Sequence, residues 1–196
     1  MNRARYDVAQ SGFTMIEVLV TLVILLIGLL GLAALQSRAQ VLETESYQRT
    51  QALVLLRDIA GRISANRISA ASYVTGTTTP LGQGSGMDCI GTPPTTTAGR
   101  DLCEWDAALK GAAEASGGAC TASGTNCVGA MIGARGCVTS PAASQYLIEV
   151  VWQGMAPTAA PPGSVVCGQS LYGTSTGIDD TLRRAVTTVV QMGNLN

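Results

Sequence analysis

Gly12-Phe13-Thr14-Met15-Ile16-Glu17-Val18-Leu19-Val20 opens a run in which Val18 to Leu35 carries no charge and has Thr21 as its sole polar side chain. These eighteen residues, at about 1.5 Å per residue, span about 27 Å as a helix, close to the hydrocarbon thickness of a bilayer. A core helix of a soluble domain is rarely apolar on every face over such a length. Val18 to Leu35 therefore reads as a membrane-spanning helix. Glu17 does not suit a plain anchor, because a carboxylate carried towards the bilayer centre costs on the order of 2.5 to 3.5 kcal/mol. Either it is solvated at the headgroup level or it has a partner, and the apolar run alone does not choose between these.

In front of Gly12 lies a short polar leader with Arg3, Arg5 and Asp7 and no apolar core of its own. With that leader, the stretch Gly12 to Val20 resembles the prepilin cleavage motif of type IV pilins and type II secretion pseudopilins. The resemblance implies that residues 1–12 are removed by a prepilin peptidase cutting between Gly12 and Phe13. It further implies that Phe13 becomes the N-methylated first residue and that Glu17 pairs with the terminus of a neighbouring subunit. A cation and an anion buried together offset each other's desolvation, so Glu17 is then an assembly residue and not a catalytic one. The implied partners are the prepilin peptidase, other major and minor pilins packed through the helical stem, and inner-membrane lipid.

Two other readings compete. A secretory signal also has a basic start and an apolar core, and Leu32-Ala33-Ala34 offers small residues for cleavage. Its core is shorter, however, and here the helical periodicity continues beyond the span. An uncleaved anchor would keep Met1 and tolerate loss of Glu17.

Composition divides the chain near Arg67. All seven prolines and nineteen of the 23 glycines follow it, which separates a helical stem, 13–67, from a turn-rich head, 68–196. Arg3 and Arg5 favour a cytoplasmic amino terminus, which places the head in the periplasm under the positive-inside tendency. A net charge of −1 and only 13% charged residues give no basic surface for nucleic acid and no field to steer a charged substrate.

Within the stem, Gly28 and Gly31 each lower helix propensity by about 1 kcal/mol. They suit either close helix packing or local loosening on assembly. From Gln36 to Arg49 the helix turns polar, yet Leu35, Ala39, Leu42, Leu53, Leu56, Ala60 and Ile63 keep helical spacing. One continuous helix of about fifty residues is expected, with its last third against a sheet and Arg57, Asp58, Arg62 and Arg67 on the wet side. Tyr47 to Ala52 and Leu56 to Arg67 are similar to the stem end of PilV-type minor pilins. This likeness covers residues 12–67 and is weak in the head, and minor pseudopilins share much of it.

For the head, Ser69 to Thr97 is rich in Thr, Gly, Ser and Pro and reads as irregular. Asp101 to Ala115 carries Leu102, Trp105, Ala108, Leu109 and Ala112 at helical spacing, so a helix capped by Asp101 with Trp105 as its buried anchor is expected. Tyr146 to Trp152 and Ala185 to Val190 are β-branched and aromatic-rich strands, with shorter candidates at Val128 to Ile132 and Val165 to Cys167. Turn-rich links suit an antiparallel meander. The fold class is α+β, a long N-terminal helix packed on a C-terminal antiparallel sheet, which is the fold the resemblance implies.

The six cysteines, Cys89, Cys103, Cys120, Cys127, Cys137 and Cys167, all lie in the head. An even number on an exported domain argues for disulfides. Local spacing favours Cys120 with Cys127 and Cys137 with Cys167, leaving Cys89 with Cys103. Zinc is disfavoured, because there is no C-x-x-C pair and no histidine. No cofactor or metal is expected. The missing histidine removes the usual general base, and neither a phosphate-binding glycine motif nor a nucleophile elbow occurs. Gly82 to Gly86 reads as a flexible loop, and Asp179-Asp180 as a charged turn better than as a calcium site. An enzyme is therefore not expected. The resemblance implies a minor pilin. A type II secretion pseudopilin and an uncleaved, membrane-anchored periplasmic binding protein are the alternatives.

Overall fold

A computed structural model describes residues 12–83, 87, 89, 94–111, 131–173 and 180–193. The chain divides into two compact units, Met1–Glu43 and Thr44–Asn196. Helix α1, Met15–Ala65, is continuous over 51 residues and contributes to both.

In the first unit, residues 12–40 are exposed throughout, and the helix is long and apolar enough to cross a membrane. Thr21, the polar residue of the apolar run, donates its hydroxyl to the carbonyl of Val18 at 2.8 Å. Its one donor is thereby satisfied inside the helix, as hydrocarbon requires.

In the second unit, α1 buries Gln48, Ala52, Leu56, Ile59 and Ile63. Successive spacings of four, four, three and four residues keep these on one helical stripe. After Ala65 come a 3-10 helix, Arg67–Tyr73; strand β1, Leu81–Gly82; helix α2, Thr97–Lys110; and strands β2, Ile132–Ala142, β3, Gln145–Gln153, and β4, Arg183–Gln191. The sheet is antiparallel with order β1-β2-β3-β4. A short turn at Ala143-Ser144 joins β2 to β3, whereas β3 reaches β4 through the long connection 154–182.

The stretch between α1 and α2 is more regular than its Thr/Gly/Ser/Pro content indicates, since it contains the 3-10 helix and β1. Gly82 makes β1 possible. Its φ of 101° is open to glycine, and its N–H donates to Asp106 Oδ1 of α2 at 2.7 Å. Helix α2 is capped by Thr96, whose side chain accepts from Gly99 N, and not by Asp101. Asp101 instead faces the end of α1, where it takes hydrogen bonds from Tyr73 and Arg62. The helix stops at Lys110, because Gly111 turns left-handed (φ 77°) and its N–H caps the carbonyls of Ala107 and Ala108. The expected extension to Ala115 therefore fails at Gly111, and residues beyond it lie outside those described. Of the shorter strand candidates, Val165 to Cys167 forms turns and not a strand, and of Val128 to Ile132 only Ile132 is a described strand residue.

Strand β3 is buried on both faces. Tyr146, Ile148, Val150 and Trp152 join the stripe of α1, Trp105 and Leu109 of α2, and Val138 of β2 in the main core. Trp105 is fully buried and donates Nε1–H to the carbonyl of Leu55 at 3.0 Å. Its ring lies against Gly136 of β2, where any side chain would enter it. On the opposite face, Val151 packs with Cys137, Cys167 and Tyr172 in a second cluster under the 154–182 connection. Such two-sided burial explains the nearly unbroken apolar run Leu147 to Trp152.

The charged side of α1 is less open to water than its pattern suggests. Arg62 bridges Asp58, Asp101 and Glu104 at 3.0, 3.0 and 2.6 Å. Glu104 foremost, with Asp58 and Asp101, holds its guanidinium protonated well above the ordinary arginine range. Arg67 donates to the carbonyl of Gly193 at 2.8 Å. At the other end of this segment, Glu45 Oε1 accepts from Met155 N (3.1 Å) and Arg184 Nη2 (3.3 Å). Arg184 also reaches the carbonyls of Ala156 and Thr181, at 2.5 and 3.0 Å, so the connection is fastened to α1 as well as to the sheet.

Candidate functional site

Two groups of residues carry chemistry, one at the start of α1 and one on the outer face of the sheet. At the first, Gly12, Phe13 and Thr14 precede the helix. Thr14 is its cap, with Oγ1 accepting from Glu17 N at 3.3 Å and its carbonyl from Glu17 N and Val18 N at 3.1 and 3.3 Å. Threonine followed three residues later by glutamate is the capping-box pattern, and the threonine half of it is made here. Glu17 sits in the first turn, where the positive end of the helix dipole favours a carboxylate. Phe13 is 84% exposed, and no described residue forms an ion pair with Glu17. The Gly12–Phe13 bond thus lies in non-helical chain just before the helix start, and the exposed Glu17 side chain follows in the first turn.

The six cysteines divide. Cys89 is joined to Cys103 of α2, with a Cα–Cα distance of 5.7 Å, and Cys137 of β2 to Cys167, at 5.8 Å. Cys120 and Cys127 lie outside the described residues. The first bridge ties the chain before α2 to that helix. The second pins the 154–182 connection to the centre of the sheet.

Around this second bridge is a buried polar group. Glu149 of β3 stands directly across from Cys137 in the strand register and is 1% exposed. Its Oε2 accepts the N–H of Cys167 at 3.0 Å, while Oε1 has no hydrogen-bond partner. Burial pushes the Glu149 carboxyl up, and the N–H groups of Cys167 and Val166 and the charge of Arg183 act against it. Arg183 of β4, also buried, donates Nη1 to the carbonyls of Val165 and Cys167 at 2.8 and 3.0 Å. It pairs with Asp180 at 3.2 Å. Asp180 accepts in addition from Ser170 N at 3.0 Å, so it serves the turn before β4. Asp179 lies outside the described residues. Tyr172 completes the cluster, donating its hydroxyl to Gly133 O at 2.5 Å beneath the guanidinium of Arg135. Two carboxylates, Glu149 and Asp180, one cysteine pair and one arginine thus hold the backbone of the connection.

Glu149 and Arg183 were not recognisable as functional candidates in the sequence. In Leu147 to Trp152 a lone glutamate reads as the solvent side of a strand. A signal was present nonetheless, since Val151 shares its face and is apolar, which a wet face would not favour. Thr14 as a cap was legible in Thr14-Met15-Ile16-Glu17 but is hidden by the more conspicuous apolar run.

The architecture defines a class: a subunit whose N-terminal helix is long and apolar enough for a membrane, and whose C-terminal part is an antiparallel sheet layered on that helix. A family model described as type IV pilin Tt1218 matches residues 34–108, and one for the prokaryotic N-terminal methylation motif matches residues 8–33. The chain belongs to the type IV pilin-like family. It is a prepilin-type pilin, a membrane-anchored structural subunit and not an enzyme. Its methylation motif implies processing by a prepilin peptidase and assembly with other pilins. No curated protein and no solved structure matches the chain.

Proposed function

We propose that the chain is a PilV-type minor pilin. It enters the inner membrane through residues 18–35 with its head in the periplasm, is cut between Gly12 and Phe13, is methylated on the Phe13 nitrogen, and is then built into a type IV pilus. The observation that carries this reading is the joining of the methylation motif, residues 8–33, to a helix whose apolar length is wholly exposed. An apolar surface of that extent is covered by lipid before assembly and by neighbouring stems after it. Once residues 1–12 are removed, Thr14 still caps the helix from the second position. The new ammonium group is then held near the helix start, and Glu17 is free to take the ammonium of an adjoining subunit. The similarity of Tyr47 to Arg67 to the PilV stem end favours the pilus over the pseudopilus of type II secretion.

The test is the intact mass and amino-terminal sequence of the protein recovered from membranes. A chain starting at Phe13 and one methyl group heavier is expected; a chain starting at Met1 would refute processing and favour the anchored binding protein. Recovery in sheared pili separates the pilus from the pseudopilus. Glu17→Ala is expected to be cut normally yet to be depleted from sheared pili, and wild-type incorporation of that variant would refute the pairing role.

A further inference from the structure

We propose that Glu149 is the proton acceptor that drives closure of the Cys137–Cys167 disulfide as the 154–182 connection docks on the sheet. Holding the connection requires only one of the two carboxylate oxygens. Oε2 accepts the N–H of Cys167, a contact that the amide oxygen of a glutamine would make equally well. What glutamate adds is Oε1, which is buried and partnerless, on a carboxylate that has one oxygen within 4.8 Å of the sulfurs of both Cys137 and Cys167. Leaving a buried acceptor unpaired is unfavourable in the finished fold, and its use falls before the fold is finished, when thiols with protons to lose occupy the same space.

The geometry orders the events. Cys137 and Glu149 are cross-strand partners, so the β2–β3 hairpin alone brings them together. Cys167 arrives last, on the connection, and its N–H binding to Oε2 sets its sulfur beside Cys137. The reaction needs an external disulfide as oxidant, such as glutathione disulfide or a protein disulfide oxidoreductase. The Cys167 thiol, its proton passing to water, first attacks that disulfide as the thiolate, forming a mixed disulfide and releasing one thiolate of the oxidant, which takes up a proton from water to become a thiol. Docking follows. The Cys137 thiol gives its proton to Glu149, its sulfur attacks Cys167 Sγ, the bond from Cys167 to the oxidant breaks, and the second thiol of the oxidant leaves with the proton from Glu149. Two cysteine thiols are oxidised, one external disulfide is reduced to two thiols, and Glu149 is regenerated.

A carboxylate is a useful base for a thiol only if its proton affinity is raised, because the thiol itself loses its proton near pH 8.5. Burial supplies that rise at Glu149. The charged and titratable groups around it are Arg183 from β4, paired with Asp180, then Tyr172 under Arg135, and the two cysteines. The N–H groups of Cys167 and Val166 and the charge of Arg183 act against that rise.

The test is refolding of the full chain in detergent micelles from the reduced, unfolded state in a glutathione redox buffer. Aliquots are alkylated over time and each disulfide is followed by mass spectrometry, between pH 6 and pH 8.5. In Glu149→Gln, closure of Cys137–Cys167 at pH 6 is expected to slow by about tenfold or more and to converge on the wild-type rate near pH 8.5, where thiolate forms unaided. Cys89–Cys103 is expected to close at an unchanged rate, and Glu149→Asp, which keeps a carboxylate, to restore the shallow pH profile. A wild-type rate for Cys137–Cys167 at pH 6 in Glu149→Gln would overturn the proposal. Equal slowing of both disulfides would overturn it too, by placing the effect on folding at large.

Discussion

A methyl group added at Gly136 tests the contact on which the head is built. Gly136 lies in the middle of β2, paired with Leu81 of β1 and Val150 of β3. A Cβ there would meet Cη2 of Trp105 and lie 2.7 and 2.8 Å from Cζ2 and Cζ3. The indole cannot retreat, because it is fully buried and its Nε1 is tied to the carbonyl of Leu55. Overpacking of this kind costs about 1–3 kcal/mol. Alanine returns about 0.4–1 kcal/mol by restricting the unfolded chain, so Gly136→Ala is expected to destabilise by about 1–2 kcal/mol. At about 2–4 °C per kcal/mol for a unit of this size, its melting temperature falls by about 2–8 °C.

The assay is thermal unfolding of the full chain in micelles, followed by tryptophan fluorescence. Gly163→Ala, where nothing lies within 4 Å of the new Cβ, serves as the control and is expected to be neutral or slightly stabilising. A double-mutant cycle makes the argument specific. Trp105→Phe removes the atoms that collide, so the pair is expected to be more stable than the sum of the two changes by at least about 0.5 kcal/mol. Additive effects, or an unchanged melting temperature in Gly136→Ala, would refute the claim that the glycine exists to seat the indole.

Replacing Cys137 and Cys167 together by alanine opens a bridge of sequence separation 30 and is expected to cost about 3–4 kcal/mol from chain entropy. Loss of the Cys89–Cys103 bridge, of separation 14, costs about 3 kcal/mol, and denaturant titration ranks the two. The raised carboxyl of Glu149 gives stability a defined pH sign: the folded chain keeps this proton to higher pH than the unfolded chain does. The contribution is full below the unfolded value near 4.3 and is lost as pH rises through the folded one. Melting curves of wild type minus Glu149→Gln should show the difference shifting against the wild type as pH rises above the unfolded value, and a flat difference would contradict the burial. Lys110 and Asp106, each 3% exposed and 2.5 Å apart, form a buried pair at the end of α2. Lys110→Ala leaves Asp106 with the N–H of Gly82 and is expected to cost about 3–5 kcal/mol, more than joint replacement by Met and Asn, as measured by chemical denaturation.

The stem was legible because local chemistry decides it. The apolar length of Val18 to Leu35, the continuing stripe through Leu56 and Ile63, and the Gly12-Phe13…Glu17 spacing are properties of neighbouring residues, and no distant part of the chain can reverse them. Strands β3 and β4 were legible for the same reason. Misreadings fall where a distant partner competes. Asp101 has the chemistry of a helix cap, but Arg62 and Tyr73 claim it, and Thr96 takes the role. The segment Val165 to Cys167 has strand propensity, but the disulfide and Arg183 hold it against the outer face of the sheet instead of within it.

Glu149 shows why the outer face was the hardest part to read. Two of its neighbours in sequence, Ile148 and Val150, belong to the core beneath the sheet, and alternation alone sends Glu149 to water. What reverses this is a connection that returns from 18 residues downstream, whose course is written in no periodicity. The cost of burying the carboxylate is accepted at the one place where β2, β3, β4 and the connection converge on the same few atoms: Cys137, Glu149, Arg183 and Cys167. A head that buried only its helix-facing side would need none of these. The second, smaller core exists to hold the connection, and its described residues, 154–173 and 180–182, fastened at Cys137, at Arg183 and through Arg184 to Glu45 of α1, are therefore a fixed part of the surface that this subunit presents.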